Sequence, residues 1–210
     1  MMYEKERTDI AYFMRRLYRQ GLTTTSGGNI SCRLPDGLMA ITASKLDKCE
    51  LKADGVAVIA SDGSNLTQEL KPSIETGMHA AIYRKRPDVH AIVHAHPVTA
   101  TAFCASRDAI DTHITAEAYA ILCEPVFIPY ALMGTPELAE LVAEGIGDAQ
   151  CALMENHGII TVGATLLEAF DKLELLEAAA RQTLLCRQMS SFHPLTPERL
   201  DELDRFVGRI

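Results

Sequence analysis

Three histidines carry the first chemical signal in this chain. His94-Ala95-His96 closes the apolar run Ala91 to His96, AIVHAH. Strand side chains alternate between faces, so His94 and His96 project to the same side, roughly 7 Å apart along the chain. Two imidazoles so placed can converge on one cation. Pro97 ends the strand and leaves the second histidine near its tip. His157 sits in Glu155-Asn156-His157-Gly158, a turn between two apolar segments, where glycine permits a tight backbone and close approach to a site. Three histidines with an open fourth position form the donor set of a catalytic zinc rather than a closed structural one. A histidine beside an apolar strand also has a plainer reading, as a hydrogen-bonded structural residue. That is the reading for His79, His90, His113 and His193.

The elements that must position these side chains follow from periodicity and turn chemistry. Ile10, Phe13, Met14 and Leu17 recur at helical spacing between Glu4 and Gln20, with Gly21 as the stop. Ile30 to Leu34 and Leu38 to Thr42 flank Pro35-Asp36-Gly37 and predict a β-hairpin. Val56 to Ala60 is a short strand, and Ile74 to Arg86 a helix that stops before Pro87. Val126 to Ile128, Cys151 to Glu155 and Ile159 to Val162 read as strands. Thr135-Pro136-Glu137 opens a helix to about Gly145, with proline where its missing N–H costs nothing. Thr165-Leu166-Leu167-Glu168 is a capping box starting a helix to about Ser190, and a short helix follows Thr196-Pro197-Glu198. Strands interleaved with helices, with one early hairpin, predict helices on both faces of a mixed or largely antiparallel sheet.

Composition narrows the class. The 210 residues, 48% hydrophobic and 23% charged, fit one globular domain, read as 1–210 with a C-terminal helical tail from about 191. That length buries enough core to fold without a structural metal. No apolar run approaches the ~18 residues of a membrane span. The start, MMYEKERTDI, is charged and is not read as a secretory signal. Six scattered cysteines without Cys-x-x-Cys argue against a disulfide framework, and the expected location is the cytoplasm. A net charge of -8 gives no attraction for nucleic acid or an anionic membrane. An anionic substrate would have to be held by backbone N–H groups, hydroxyls and a bound cation.

Four segments in order carry a resemblance: Ser26-Gly27-Gly28-Asn29-Ile30-Ser31, Lys71-Pro72-Ser73-Ile74-Glu75, His94-Ala95-His96-Pro97 and Glu155-Asn156-His157-Gly158. With Ile41-Thr42-Ala43-Ser44 and Gly134-Thr135-Pro136-Glu137-Leu138, they resemble the class II aldolase and adducin head family, most closely its bacterial fuculose-phosphate aldolase branch. The likeness runs from about Gly21 to Gln188. It implies a three-layer α/β/α sandwich around a mixed, largely antiparallel sheet, and a homotetramer with active sites at subunit interfaces. It implies one zinc held by His94, His96 and His157, with Glu75 as acid/base and as a metal contact when substrate is absent. It implies a sugar-phosphate substrate whose phosphate meets Gly28, Asn29, Ser44 and Ser73; Lys45, which is not part of that pattern, either adds a cation beside them or points into solvent.

These roles agree with elementary chemistry. Cleaving a β-hydroxy ketone leaves an electron pair on the carbon beside the carbonyl, and a divalent cation offsets that charge as a Lewis acid. No lysine Schiff base is then needed, although Lys48 and Lys71 are its candidates. A carboxylate beside the metal moves the carbon-bound proton. Gly27, Gly28 and Asn29 can form an anion nest, and Ser44 and Ser73 can add hydroxyl donors.

Four positions depart from the branch pattern. Lys45 replaces a glycine, Ile74 a serine, Met133 an aromatic residue, and Thr115 a proton-donating tyrosine, with Tyr119 one helical turn later. The expected reaction is cleavage of a ketose 1-phosphate to dihydroxyacetone phosphate and a short aldehyde. Epimerases, dehydratases and decarboxylases share this metal site, and 4-epimerases usually carry aspartate where this chain has Glu75. A non-catalytic adducin-like module lacks the three histidines, and an amidohydrolase barrel needs about 250 residues.

Overall fold

The computed structural model describes residues 1–210. Seven strands form one sheet: β1 (Asn29–Arg33), β2 (Met39–Thr42), β3 (Val56–Ile59), β4 (Ala91–Ala95), β5 (Val126–Ile128), β6 (Cys151–Met154) and β7 (Gly158–Gly163). Their spatial order is β3-β2-β1-β4-β7-β6-β5. All neighbours are antiparallel except β5 and β6, so the sheet is mixed and largely antiparallel. The predicted hairpin is β1–β2, where Asp36 (φ 58°) and Gly37 (φ 73°) supply the left-handed backbone of its turn.

Seven helices cover the sheet: α1 (Glu4–Arg19), α2 (Thr76–Lys85), α3 (Val98–Ser106), α4 (Ala116–Leu122), α5 (Pro136–Gly145), α6 (Leu166–Arg187) and α7 (Pro197–Phe206). One face packs against α1, α3, α4 and α6 through Met14, Phe103, Leu122, Phe170 and Leu173. The opposite face packs against α2 and α5 through Met78, Ile82, Leu138 and Val142. This is an α/β sandwich with two cores. Large apolar side chains buried in this way are worth about 1.5–3 kcal/mol each, so the fold rests on packing and not on a bound ion.

The two cores divide β4 by parity. Ala91, Val93 and Ala95 belong to the first and Ile92 to the second, so His94 faces the α2 layer. Register sets Asn29 of β1 opposite His94. The helix expected from Ile74 begins at Thr76, which leaves Glu75 as its N-cap, and α6 stops at Arg187, short of Ser190. Helices α3 and α4 were absent from the sequence reading. Thr165 and Thr135 cap α6 and α5 as the sequence predicts, their hydroxyls accepting from the N–H of Glu168 and Leu138.

Candidate metal centre

The end of β4, the N-terminus of α2 and the β6–β7 turn meet at one point. His94 is fully buried, and its Nδ1–H donates to the Ile159 carbonyl at 2.9 Å. That bond fixes the tautomer and turns the Nε2 lone pair inward. His96 Nε2 lies 3.1 Å from it. One ring nitrogen from each of His94, His96 and His157 falls within 4.8 Å of the others. Three nitrogens around a tetrahedral zinc sit about 3.3 Å apart at Zn–N distances near 2.0 Å, so small side-chain shifts would accommodate the ion. With His96 in the tautomer that leaves its Nε2 unprotonated, both rings would offer a lone pair to a cation between them. The residues fit a divalent metal, and no other cluster of three such donors is present.

Glu75 completes the group. Its Oε2 lies 3.2 Å from His94 Nε2 and its Oε1 2.8 Å from His157 Nε2. Asn29 Nδ2 donates to Glu75 Oε2 at 2.6 Å and to Ser73 Oγ at 3.0 Å. The cross-strand partner of a histidine therefore aims the carboxylate. Burial alone would raise the pKa of Glu75, but His94 and His157 together outweigh it and hold the carboxyl below the usual range. Burial, helped by the other two imidazoles, pushes His96 down to about 3, the neutral form a metal requires.

The β6–β7 turn shows why its residues are needed. Asn156 takes the left-handed backbone (φ 53°), while the His157 N–H returns to the Met154 carbonyl at 3.1 Å. Gly158 serves close approach rather than an unusual φ. A Cβ there would lie 2.3 Å from His96 Cδ2 and 2.8 Å from the Ala95 carbonyl. Gly158→Ala should therefore displace His96 and weaken metal binding by about tenfold, the scale of a 1–3 kcal/mol overpacking penalty. Metal titration of the variant checks this, and wild-type affinity would show that the ring has room to yield.

A cavity of about 400 Å³ opens beside the cluster, lined by Glu75, His96 and His157 and by all five residues expected at the phosphate: Gly28, Asn29, Ser44, Lys45 and Ser73. Their donors are not equally available. Ser73 Oγ already accepts from Asn29 Nδ2 and from the Glu75 N–H at 3.3 Å, so its own O–H is free to donate. Ser44 Oγ donates to the Pro72 carbonyl at 2.9 Å and must rotate to meet an anion. The Gly27 N–H goes to Thr24 Oγ1 at 3.2 Å and is not offered to the cavity. Gly28 packs on the histidine strand, where a Cβ would sit 2.7 Å from the His94 carbonyl. Lys45 is exposed and holds φ 59°.

Met133 and Ile74 line the cavity, whereas Thr115 and Tyr119 do not. Thr115 caps α4, and the Tyr119 hydroxyl donates to Asp204 Oδ2 of α7 at 3.0 Å. His79 is buried against Ser31 Oγ at 2.7 Å and stays outside the cluster, as its structural reading expects. Two residues escaped the sequence reading. Glu177 of α6, 3% exposed, accepts from the N–H groups of Thr99 at 3.2 Å and Ala100 at 2.8 Å, fixing the start of α3 just after His96-Pro97. Lys48, given only as a Schiff-base candidate, is 2% exposed at the cavity wall.

Comparison with known proteins identifies the family. The profile of the Class II Aldolase and Adducin N-terminal domain matches residues 8–184, and the chain belongs to that family. It is 34% identical over 185 residues to a 5-deoxy-D-ribulose 1-phosphate aldolase of Bacillus thuringiensis serovar kurstaki, covering 86% of this chain and 85% of that one. It is 32% identical to a 3-oxo-tetronate 4-phosphate decarboxylase of Haemophilus influenzae, covering 80% and 81%. A solved L-fuculose 1-phosphate aldolase superposes with a TM-score of 0.89 at 28% identity, covering 97% and 96%.

Proposed function

We propose that the protein catalyses metal-dependent retro-aldol cleavage of a ketose 1-phosphate, L-fuculose 1-phosphate or a related sugar, to dihydroxyacetone phosphate and a short aldehyde. The carrying observation is Glu75, whose two oxygens face His94 and His157 while Asn29 holds one of them at the mouth of the cavity. A divalent ion held by His94, His96 and His157, zinc by family resemblance, would withdraw electron density from the substrate carbonyl. In cleavage the C4 hydroxyl gives up its proton to solvent and becomes the aldehyde carbonyl as the bond between C3 and C4 breaks, and the electron pair of that bond stays on C3. Glu75 returns a proton to that carbon, and in condensation it takes one away. The free Ser73 O–H, the Gly28 and Asn29 segment, Ser44 after rotation and Lys45 hold the phosphate end.

The site residues stand on geometry and chemistry, and the sugar on the names of relatives. A panel of ketose 1-phosphates, 5-deoxy sugars included, assayed by coupled reduction of dihydroxyacetone phosphate, tests the reading. Metal-dependent turnover of at least one member is expected, and no triose phosphate from any of them would overturn it. The 32% identity to a decarboxylase favours one second reading, decarboxylation of a 3-oxo acid 4-phosphate at the same site. Carbon dioxide release from a 3-oxo acid 4-phosphate, added to the panel, separates the two. A homotetramer with interface active sites also belongs to this proposal. It is supported by Ile74 and Met133, large apolar side chains of the cavity lining left 54% and 58% exposed.

A further inference from the structure

Lys48 is buried, 2% exposed, and lies in the loop between β2 and β3. Its N–H donates to the Thr25 carbonyl at 3.0 Å, tying this loop to the glycine segment that enters β1. Its ammonium has one protein partner, the Ala43 carbonyl at 3.1 Å. No carboxylate pairs with it, and burial alone pushes it down to about 8, so the charged form still dominates at neutral pH. An ammonium offers three donors. A buried cation with one carbonyl and no counter-charge costs far more than a surface ion pair returns.

The wall that contains Lys48 also contains Ser73 and Gly28, both argued above to meet an anion. Lys45 and Lys71 line the same cavity but are exposed, where water screens them and a charge contact returns little. A cation sheltered from water acts through a lower effective dielectric and discriminates charged from neutral ligands far more strongly. The chain as a whole carries a net charge of -8, so its overall field opposes a phosphate dianion.

We propose that Lys48 is the specificity-determining residue for the phosphate end of the substrate, a buried cation whose counter-ion is the phosphate itself. This rests on the reading of a phosphorylated substrate. It assigns Lys48 a role other than the Schiff-base nucleophile that a buried lysine otherwise suggests.

The test compares dihydroxyacetone phosphate with unphosphorylated dihydroxyacetone as ligands of the metal-loaded protein, in wild type, Lys48→Met and Lys48→Gln. Glutamine keeps a donor for the Ala43 carbonyl should methionine fail to fold. Both variants should bind the phosphorylated triose at least about tenfold more weakly, the scale of one charge-assisted hydrogen bond. Affinity for dihydroxyacetone and metal content should not move. Equal losses for both ligands would mean a structural role and overturn the proposal. Unchanged affinity for the phosphorylated triose would overturn it too, as would trapping of the triose on Lys48 by borohydride. A wild type that does not distinguish the two trioses would remove the phosphorylated-substrate reading and this proposal with it.

Discussion

His96→Ala should emerge folded, metal-free and inactive. Its ring is the one member of the triad carried beyond the end of β4, and its Nε2 stands 3.1 Å from that of His94. Without it, His94 and His157 remain as ligands, and Glu75 must stand in as a third. Loss of a group that merely orients a ligand typically costs 10- to 100-fold in metal affinity, so loss of a ligand itself should exceed about 100-fold. The fold should survive, because two apolar cores and not an ion hold the sheet and helices together. Metal analysis after dialysis, circular dichroism and turnover together check this. An active His96→Ala protein without metal would refute the centre.

Glu75→Gln should retain the metal and lose proton transfer. The amide oxygen of glutamine can still accept from Asn29 Nδ2, which now reaches Glu75 Oε2 at 2.6 Å, so the side chain keeps its position. What it loses is a basic site that can take a proton from carbon. Positioned acid–base groups contribute about 10²- to 10⁴-fold, and that is the expected fall in hydrogen exchange at the reacting carbon of dihydroxyacetone phosphate. Exchange followed by NMR in deuterated water isolates this step from bond cleavage. Normal exchange with metal in place would assign the proton to another group.

The parts of the fold legible in the sequence are those whose signals are local. Thr135 and Thr165 announce their helices because a cap hydroxyl and the N–H it accepts lie three residues apart. The hairpin turn at Asp36-Gly37 is equally local. Helix α3 was missed because its sequence, VTATAFCAS, has no apolar stripe and contains β-branched residues. The N–H groups of Thr99 and Ala100 are satisfied by Glu177, more than 70 residues onward, a pairing no sequence window contains. Helix α4 spans two turns, too short for a period to emerge.

The candidate centre divides in the same way. Strand alternation alone puts His94 and His96 on one face. Bringing His157 to them needs the β4–β7 register, a pairing between distant strands that neither motif spacing nor resemblance specifies. That Asn29 steers Glu75 was hidden for the same reason, since its place opposite His94 is a fact of pairing between strands. The burial of Lys48 was not legible, because lysine is rarely fully buried and nothing near it in the sequence marks the loop as folding inward.

Glu177 has a consequence for the division of labour between the two layers. It belongs to α6, across the sheet from the layer that supplies Glu75, yet it clasps the chain two residues after Pro97. The strand tip bearing His96 is thus gripped from behind by a carboxylate that no substrate ever meets. The sheet does not partition a working side from a supporting side, and drift in the helix at its back is felt at the chemistry in front.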